Sequence, residues 1–133
     1  MIERKFWQVK WQNIEFKDAN LPTSYSNIAD KLFYAKFYSH LFNKYNSLDS
    51  LPCEWKENKT ETAKNIMKII ENKTKVLSFG SGLGFVENYI LNNKDIFLDL
   101  FEINEKPLTL FLKNRKSRVF NNIYDLDKYD YIY

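Results

Sequence analysis

The chain has 133 residues, 44% hydrophobic and 28% charged, with a net charge of +3. That is one ordinary domain's worth of polypeptide with enough apolar material for a packed core, which excludes an intrinsically disordered chain and a two-domain enzyme. A single cysteine, Cys53, and a single histidine, His40, exclude an internal disulfide and a Cys/His zinc site, and so small a positive surplus demands no polyanionic partner.

The opening MIERKFWQVKWQ lacks the unbroken apolar run of a signal peptide. No stretch approaches the ~20 apolar residues that span a bilayer. The expectation is a soluble, cytoplasmic protein without membrane attachment. The first half reads as helical. Residues 1–23 scatter Phe6, Trp7, Trp11 and Phe16 before the turn signal Leu21-Pro22-Thr23. A helix is predicted from about Ser24–Asn27, where small polar side chains cap free N–H groups, to Tyr45. At helical spacing Ile28, Leu32, Tyr34, Ala35, Phe37, Tyr38, Leu41, Phe42 and Tyr45 share one arc, while Lys36, His40, Asn43 and Lys44 lie opposite. Residues 46–55, with Pro52, read as a loop. A second helix is predicted over Thr60–Glu71, with Ala63, Ile66, Met67, Ile69 and Ile70 as its apolar face.

The pattern changes after Asn72-Lys73. Lys75–Phe79 (KVLSF) reads as a strand, Phe85–Leu91 as a helix and Asp95–Glu102 as a second strand. Lys106–Asn114 suits a helix with Pro107 in its first turn, where the missing N–H is harmless. Arg118–Phe120 and Tyr129–Tyr133 are further short strands. Alternating strands and helices predict an α/β fold with a parallel sheet. The expected organisation is an N-terminal helical segment, 1–59, packing on an α/β domain, 60–133.

Only three glycines occur, and all stand within VLSFGSGLGF, residues 76–85, as Gly80, Gly82 and Gly84. Glycines between a strand and a helix let the backbone turn through positive φ and approach a ligand closely. The helix that follows offers free N–H groups to it. Glu102, at the tip of the next strand, lies 20 positions after Gly82, near the ~20 expected of an acid that accepts ribose hydroxyls. A dinucleotide fingerprint, GxGxxG, would need glycine at 85, where the chain has Phe85.

GxGxG after an apolar strand, with an acid ending the next strand, resembles the class I, Rossmann-like S-adenosylmethionine-dependent methyltransferases. The resemblance covers residues 60–133. It implies that Gly80, Ser81, Gly82 and Gly84 wrap the methionine and ribose portions of S-adenosylmethionine. Glu102 would bind the ribose hydroxyls and Ile103 would lie on the adenine. Asn122, or its neighbours Ile123 and Asp125, would reach the adenine edge. The family often carries an acid two positions before the first glycine, where this sequence has Ser78. KYDYIY looks like the family's fourth strand, so the resemblance implies a partial sheet, truncated after it. The segment that would reveal the methyl acceptor follows that strand, so neither the acceptor nor a catalytic base is assigned.

Other polar groups have plainer readings. Lys113, Arg115, Lys116 and Arg118 suit a solvated helix end, so nucleic acid is a possible partner without being indicated. Asp125, Asp127 and Asp130 read as solvated turn acids, and no metal is expected. His40 reads as exposed, and Cys53 as structural or inert. A non-catalytic interaction module and an NAD-binding oxidoreductase fragment stand as alternatives. An open edge at Tyr129–Tyr133 predicts self-association, a homodimer in the simplest case.

Overall fold

The computed structural model describes residues 4–5, 10–11, 14–18, 20, 24–25, 31–47, 49–103, 112 and 116–133. The chain divides into two compact units, Met1–Pro52 and Cys53–Tyr133. In the first, β1 (Arg4–Lys5) pairs antiparallel with β4 (Ser24–Tyr25), and β2 (Lys10–Trp11) with β3 (Ile14–Glu15). Helix α1 spans Lys31–Lys44. Ser24 and Tyr25 are therefore strand residues rather than the start of a helix, and the N-terminal segment is not purely helical. The apolar stripe of α1 is also narrower than the predicted arc. Phe37, Tyr38 and Leu41 are buried, followed by Tyr45, whereas Leu32 and Ala35 face solvent. Phe16 joins this core with its ring edge-on to Phe33 and Phe37, at 5.6 and 6.4 Å between centroids. Ile28 and the turn at 21–23 lie outside the described residues.

The second unit opens with α2 (Cys53–Ile69), seven residues earlier than the sequence predicts. Pro52 stands just before the first turn, where its missing N–H and fixed φ do no damage. Ala63 and Ile70 are fully buried and Ile66 and Met67 pack beside them, but Ile69 points outward. Then come β5 (Lys75–Phe79), α3 (Phe85–Asn93), β6 (Phe97–Phe101), β7 (Val119–Phe120), a 3-10 turn at Ile123–Asp125 and β8 (Tyr131–Ile132). The predicted helix at 106–114 lies outside the described residues apart from Leu112.

The sheet is parallel throughout, in the order β7-β6-β5-β8. Side chains alternate between its faces. Val76, Leu98 and Leu100 point to the side where Ala63, Ile70 and Ile90 pack, forming the core. On the other side Leu77 and Asp99 are buried, while Phe79, Phe97 and Ile132 are exposed. Asp99 is tied down fully. It accepts from Arg118 at Nε (3.1 Å) and Nη2 (2.6 Å) and from the Tyr129 hydroxyl at 3.0 Å. One carboxylate thus joins β6 to the residues leading into β7 and β8.

Because all four strands run the same way, their carboxyl ends share one edge. The glycine loop after β5, Glu102 after β6 and Asn122 after β7 all stand there. No helix among the described residues is long and apolar enough to cross a membrane.

Candidate functional site at the glycine loop

β5 ends at Phe79, and the next turn is set by main-chain bonds. Gly80 donates its N–H to the Phe101 carbonyl at 2.8 Å, and Gly84 to the Ser81 carbonyl at 2.9 Å. The φ angles of Gly80, Gly82 and Gly84 are +76°, +57° and +72°. A side chain at these positions would be strained, which is why the chain places its glycines here. Gly84 is the residue from which α3 starts, and its carbonyl takes the first helical bond, from Asn88, at 2.9 Å. A Cβ built on Gly80 would meet nothing within 4 Å. The space over this backbone is open.

Glu102 comes to the loop. Its Oε2 accepts the Gly82 N–H at 2.8 Å, across the 20-residue separation noted in the sequence. The carboxylate is buried, 8% exposed. A backbone bond from Phe120, accepting the Glu102 N–H at 2.9 Å, puts the end of β7 beside it. Ile103 follows with its side chain half in solvent. Asn122 is exposed and its Oδ1 accepts the Tyr124 N–H at 3.1 Å, capping the short 3-10 turn. Ile123 and Asp125 on that turn are exposed too.

The hydroxyls beneath the loop form a chain. Ser81 Oγ donates to Ser78 Oγ at 3.1 Å, and Ser78 Oγ donates to Glu87 Oε1 at 2.5 Å. Glu87, on the first turn of α3, is 3% exposed. Burial pushes its carboxyl above the ordinary range, against the opposing effects of the Ser78 bond and the Lys59 charge. Burial likewise pushes the Tyr133 phenol up, reinforced by the charge of Glu87. Among the described residues, the Trp55 indole Nε1 is buried without a hydrogen-bond partner, and the buried Tyr133 hydroxyl stands beside Ser78 and Glu87 with no strictly aligned hydrogen bond to either. Trp55 sits edge-on to Phe85 at 5.2 Å, at the start of α3. Sequence reasoning missed Glu87. The available signal is its spacing: Leu83, Glu87 and Ile90 recur at helical intervals and all three are buried.

The remaining candidates are engaged elsewhere. Asp127 pairs with Lys75 at 2.5 Å, and Asp130 accepts the Lys75 N–H at 2.8 Å. Lys113 and Arg115 lie outside the described residues, and Arg118 is held by Asp99. His40 is half-buried, lining a shallow cavity with Asp18, Asn20 and Lys36. A cavity of about 440 Å³ lies at the opposite end of the sheet, lined by Lys73, Lys75, Asp95, Asp99, Arg118 and Asp130 among others. Two of its cations are already paired with carboxylates. No group of three or more His, Cys, Asp and Glu among the described residues is placed to hold a metal.

No protein-family model matches the chain, and no curated protein matches it.

Proposed function

We propose that the glycine loop and Glu102 form a binding site for S-adenosylmethionine, in a class I, Rossmann-like methyltransferase or its cofactor-binding portion. The observation that carries this reading is the bond from Gly82 N–H to Glu102. It unites the glycine loop with the acid of the next strand at the carboxyl edge of a parallel sheet. Numbered from β5, the strand order β7-β6-β5-β8 is 3-2-1-4, which is the order at the switch point of doubly wound nucleotide-binding sheets. The chain leaves β5 toward β6 and later returns to β5's other side as β8, so the loop stands where connections diverge.

The residues fit the ligand. The open space over Gly80 lets the backbone approach it. Glu102 brings a carboxylate, the group that accepts from ribose hydroxyls, to the loop itself through its bond with the Gly82 N–H. Ile103 offers an exposed aliphatic surface for a base, next to Glu102. Asn122, on the neighbouring strand end, would turn its amide to the base edge by giving up the local cap.

When bound, S-adenosylmethionine supplies an electrophilic methyl group, which an acceptor O, N or C takes in line while the carbon–sulfur electron pair returns to sulfur. The chain's contribution is orientation. The loop fixes one end of the ligand and Glu102 the ribose, leaving the methyl group to face the acceptor. The acceptor's class and the group that takes its proton are not assigned. Third-glycine spacing favours this ligand over NAD, since Phe85 stands where a dinucleotide site needs glycine.

Isothermal titration with S-adenosylmethionine, S-adenosylhomocysteine and NAD tests the reading. Both sulfur ligands should bind more tightly than NAD. Tighter binding of NAD overturns the assignment. Binding without methyl transfer to any acceptor class would instead indicate a non-catalytic module built on the same site.

A further inference from the structure

The proposed function leaves the loop's one side-chain hydroxyl without a role. Ser81 stands between Gly80 and Gly82, both of positive φ, and is half-buried. Its Oγ donates toward Ser78, at 3.1 Å from Ser78 Oγ and 3.4 Å from the Ser78 carbonyl oxygen. Ser78 Oγ in turn donates to Glu87 Oε1 at 2.5 Å. The inner end of this chain sets its direction. Glu87 Oε1 accepts as a carboxylate oxygen, and equally as the carbonyl oxygen of a neutral acid. A hydroxyl has one hydrogen to give. Ser78 gives its hydrogen to Glu87, so its oxygens offer Ser81 only lone pairs. The Tyr133 hydroxyl beside Ser78 leaves this order unchanged, because Ser78 Oγ has two lone pairs and can accept from both neighbours. Ser81 therefore gives its hydrogen inward, and only the lone pairs of its oxygen remain for a ligand at the loop.

We propose that Ser81 is the loop's acceptor for the ligand's ammonium group. This rests on the assignment of the site to S-adenosylmethionine and adds to it the group that the loop reads. With the ribose assigned to Glu102, which is bonded to Gly82, the rest of the ligand falls to Ser81 and Gly80. The space over Gly80 is open, since a Cβ built there would meet nothing within 4 Å. The amino-acid end of the ligand carries two charged groups, an ammonium that only donates and a carboxylate that only accepts. An oxygen with lone pairs alone to offer takes a hydrogen bond from the first and repels the second. The same polarity disfavours a phosphate at Ser81, because a phosphate brings further acceptor oxygens. Discrimination against a dinucleotide then comes from the direction of a hydroxyl as well as from the spacing of the glycines.

Three ligands separate the two charged groups: S-adenosylhomocysteine, its desamino analogue, which keeps the carboxylate, and its decarboxylated analogue, which keeps the ammonium. Each is titrated calorimetrically at neutral pH into the wild type and into Ser81→Ala. The wild type should bind S-adenosylhomocysteine at least about tenfold more tightly than the desamino analogue, the lower end for a hydrogen bond to a charged group. Ser81→Ala should weaken S-adenosylhomocysteine and the decarboxylated analogue by similar factors of that size and leave the desamino analogue unchanged. A wild type indifferent to the amino group overturns the proposal without any variant. Ser81→Ala also overturns it by binding all three ligands as the wild type does, or by weakening all three equally. Weakening of the desamino analogue with the decarboxylated one spared overturns it too, since Ser81 would then be a donor to the carboxylate. In each of these cases the ligands still bind the wild type, and the site assignment stands. Failure of all three to bind the wild type overturns the site assignment and the acceptor role with it.

Discussion

At Glu102 one carboxylate both fixes the loop and, in the proposed function, recognises the ribose. The two roles separate by substitution. Glu102→Gln keeps an oxygen for the Gly82 N–H, so unfolding in urea should shift by less than about 0.5 kcal/mol. Loss of the charge removes charge-assisted hydrogen bonds to the ligand, each worth ~1.5–3 kcal/mol, and should weaken S-adenosylmethionine binding at least about tenfold. Glu102→Ala should lose binding equally and also destabilise the fold by ~1–3 kcal/mol, because the Gly82 N–H loses its acceptor. Unchanged binding in Glu102→Gln would remove Glu102 from the ribose role. The pairing of loop and acid was legible because both lie at strand ends, where residue type and spacing carry the information. Glu87 was not. The sequence offered Ser78 as a position lacking charge, but nothing in a linear reading says that a helix nine residues on returns a carboxyl to that hydroxyl.

The elements of the second unit follow from sequence better than those of the first, for a physical reason. KVLSF is apolar on both faces, and Val76, Leu77 and Ser78 are all buried, as expected for an inner strand of a parallel sheet. The strands of the first unit are two residues each, too short to display any period. The start of α2 was hidden because residues 53–59 carry Glu54, Lys56, Glu57, Asn58 and Lys59, leaving Trp55 as the one large apolar side chain in its first two turns. Asp99 shows the limit of periodicity most clearly. It is the one charged residue in the apolar run FLDLF, and it is buried and holds Arg118 and Tyr129. Asp99→Ala should therefore lower stability by ~1–3 kcal/mol, with Asp99→Asn milder because it still accepts from Tyr129. Urea unfolding measures both. A change below about 0.5 kcal/mol for Asp99→Ala would mean that β7 and β8 are held by their main-chain ladders alone.

At the scale of the molecule, an α/β fold with a parallel sheet was readable from the alternation of elements, and the mixed strand and helix content of the first unit was not. β8 ends the strand order with β5 on one side, and Ile132 is largely exposed. Among the described residues nothing pairs with its outer edge. An open strand edge is a template for pairing with another strand, which makes pairing between copies an outcome to test, with Asp130 the one acid beside the strand. Light scattering over a concentration series should show a monomer–dimer equilibrium, and Ile132→Lys should shift it toward monomer. A strictly monomeric wild type at high concentration contradicts edge pairing. A dimer indifferent to Ile132→Lys places the interface elsewhere.

The central claim is that the glycine loop is the ligand site, and the composition supplies a direct probe of it. The chain has only three glycines, Gly80, Gly82 and Gly84, all in the loop. Selective nitrogen-15 labelling of glycine therefore yields one amide signal per loop position and no others. Titration with S-adenosylhomocysteine should move all three signals saturably, and NAD should move none of them at the same concentration. Three signals unmoved by S-adenosylhomocysteine, or moved more readily by NAD, would contradict the account.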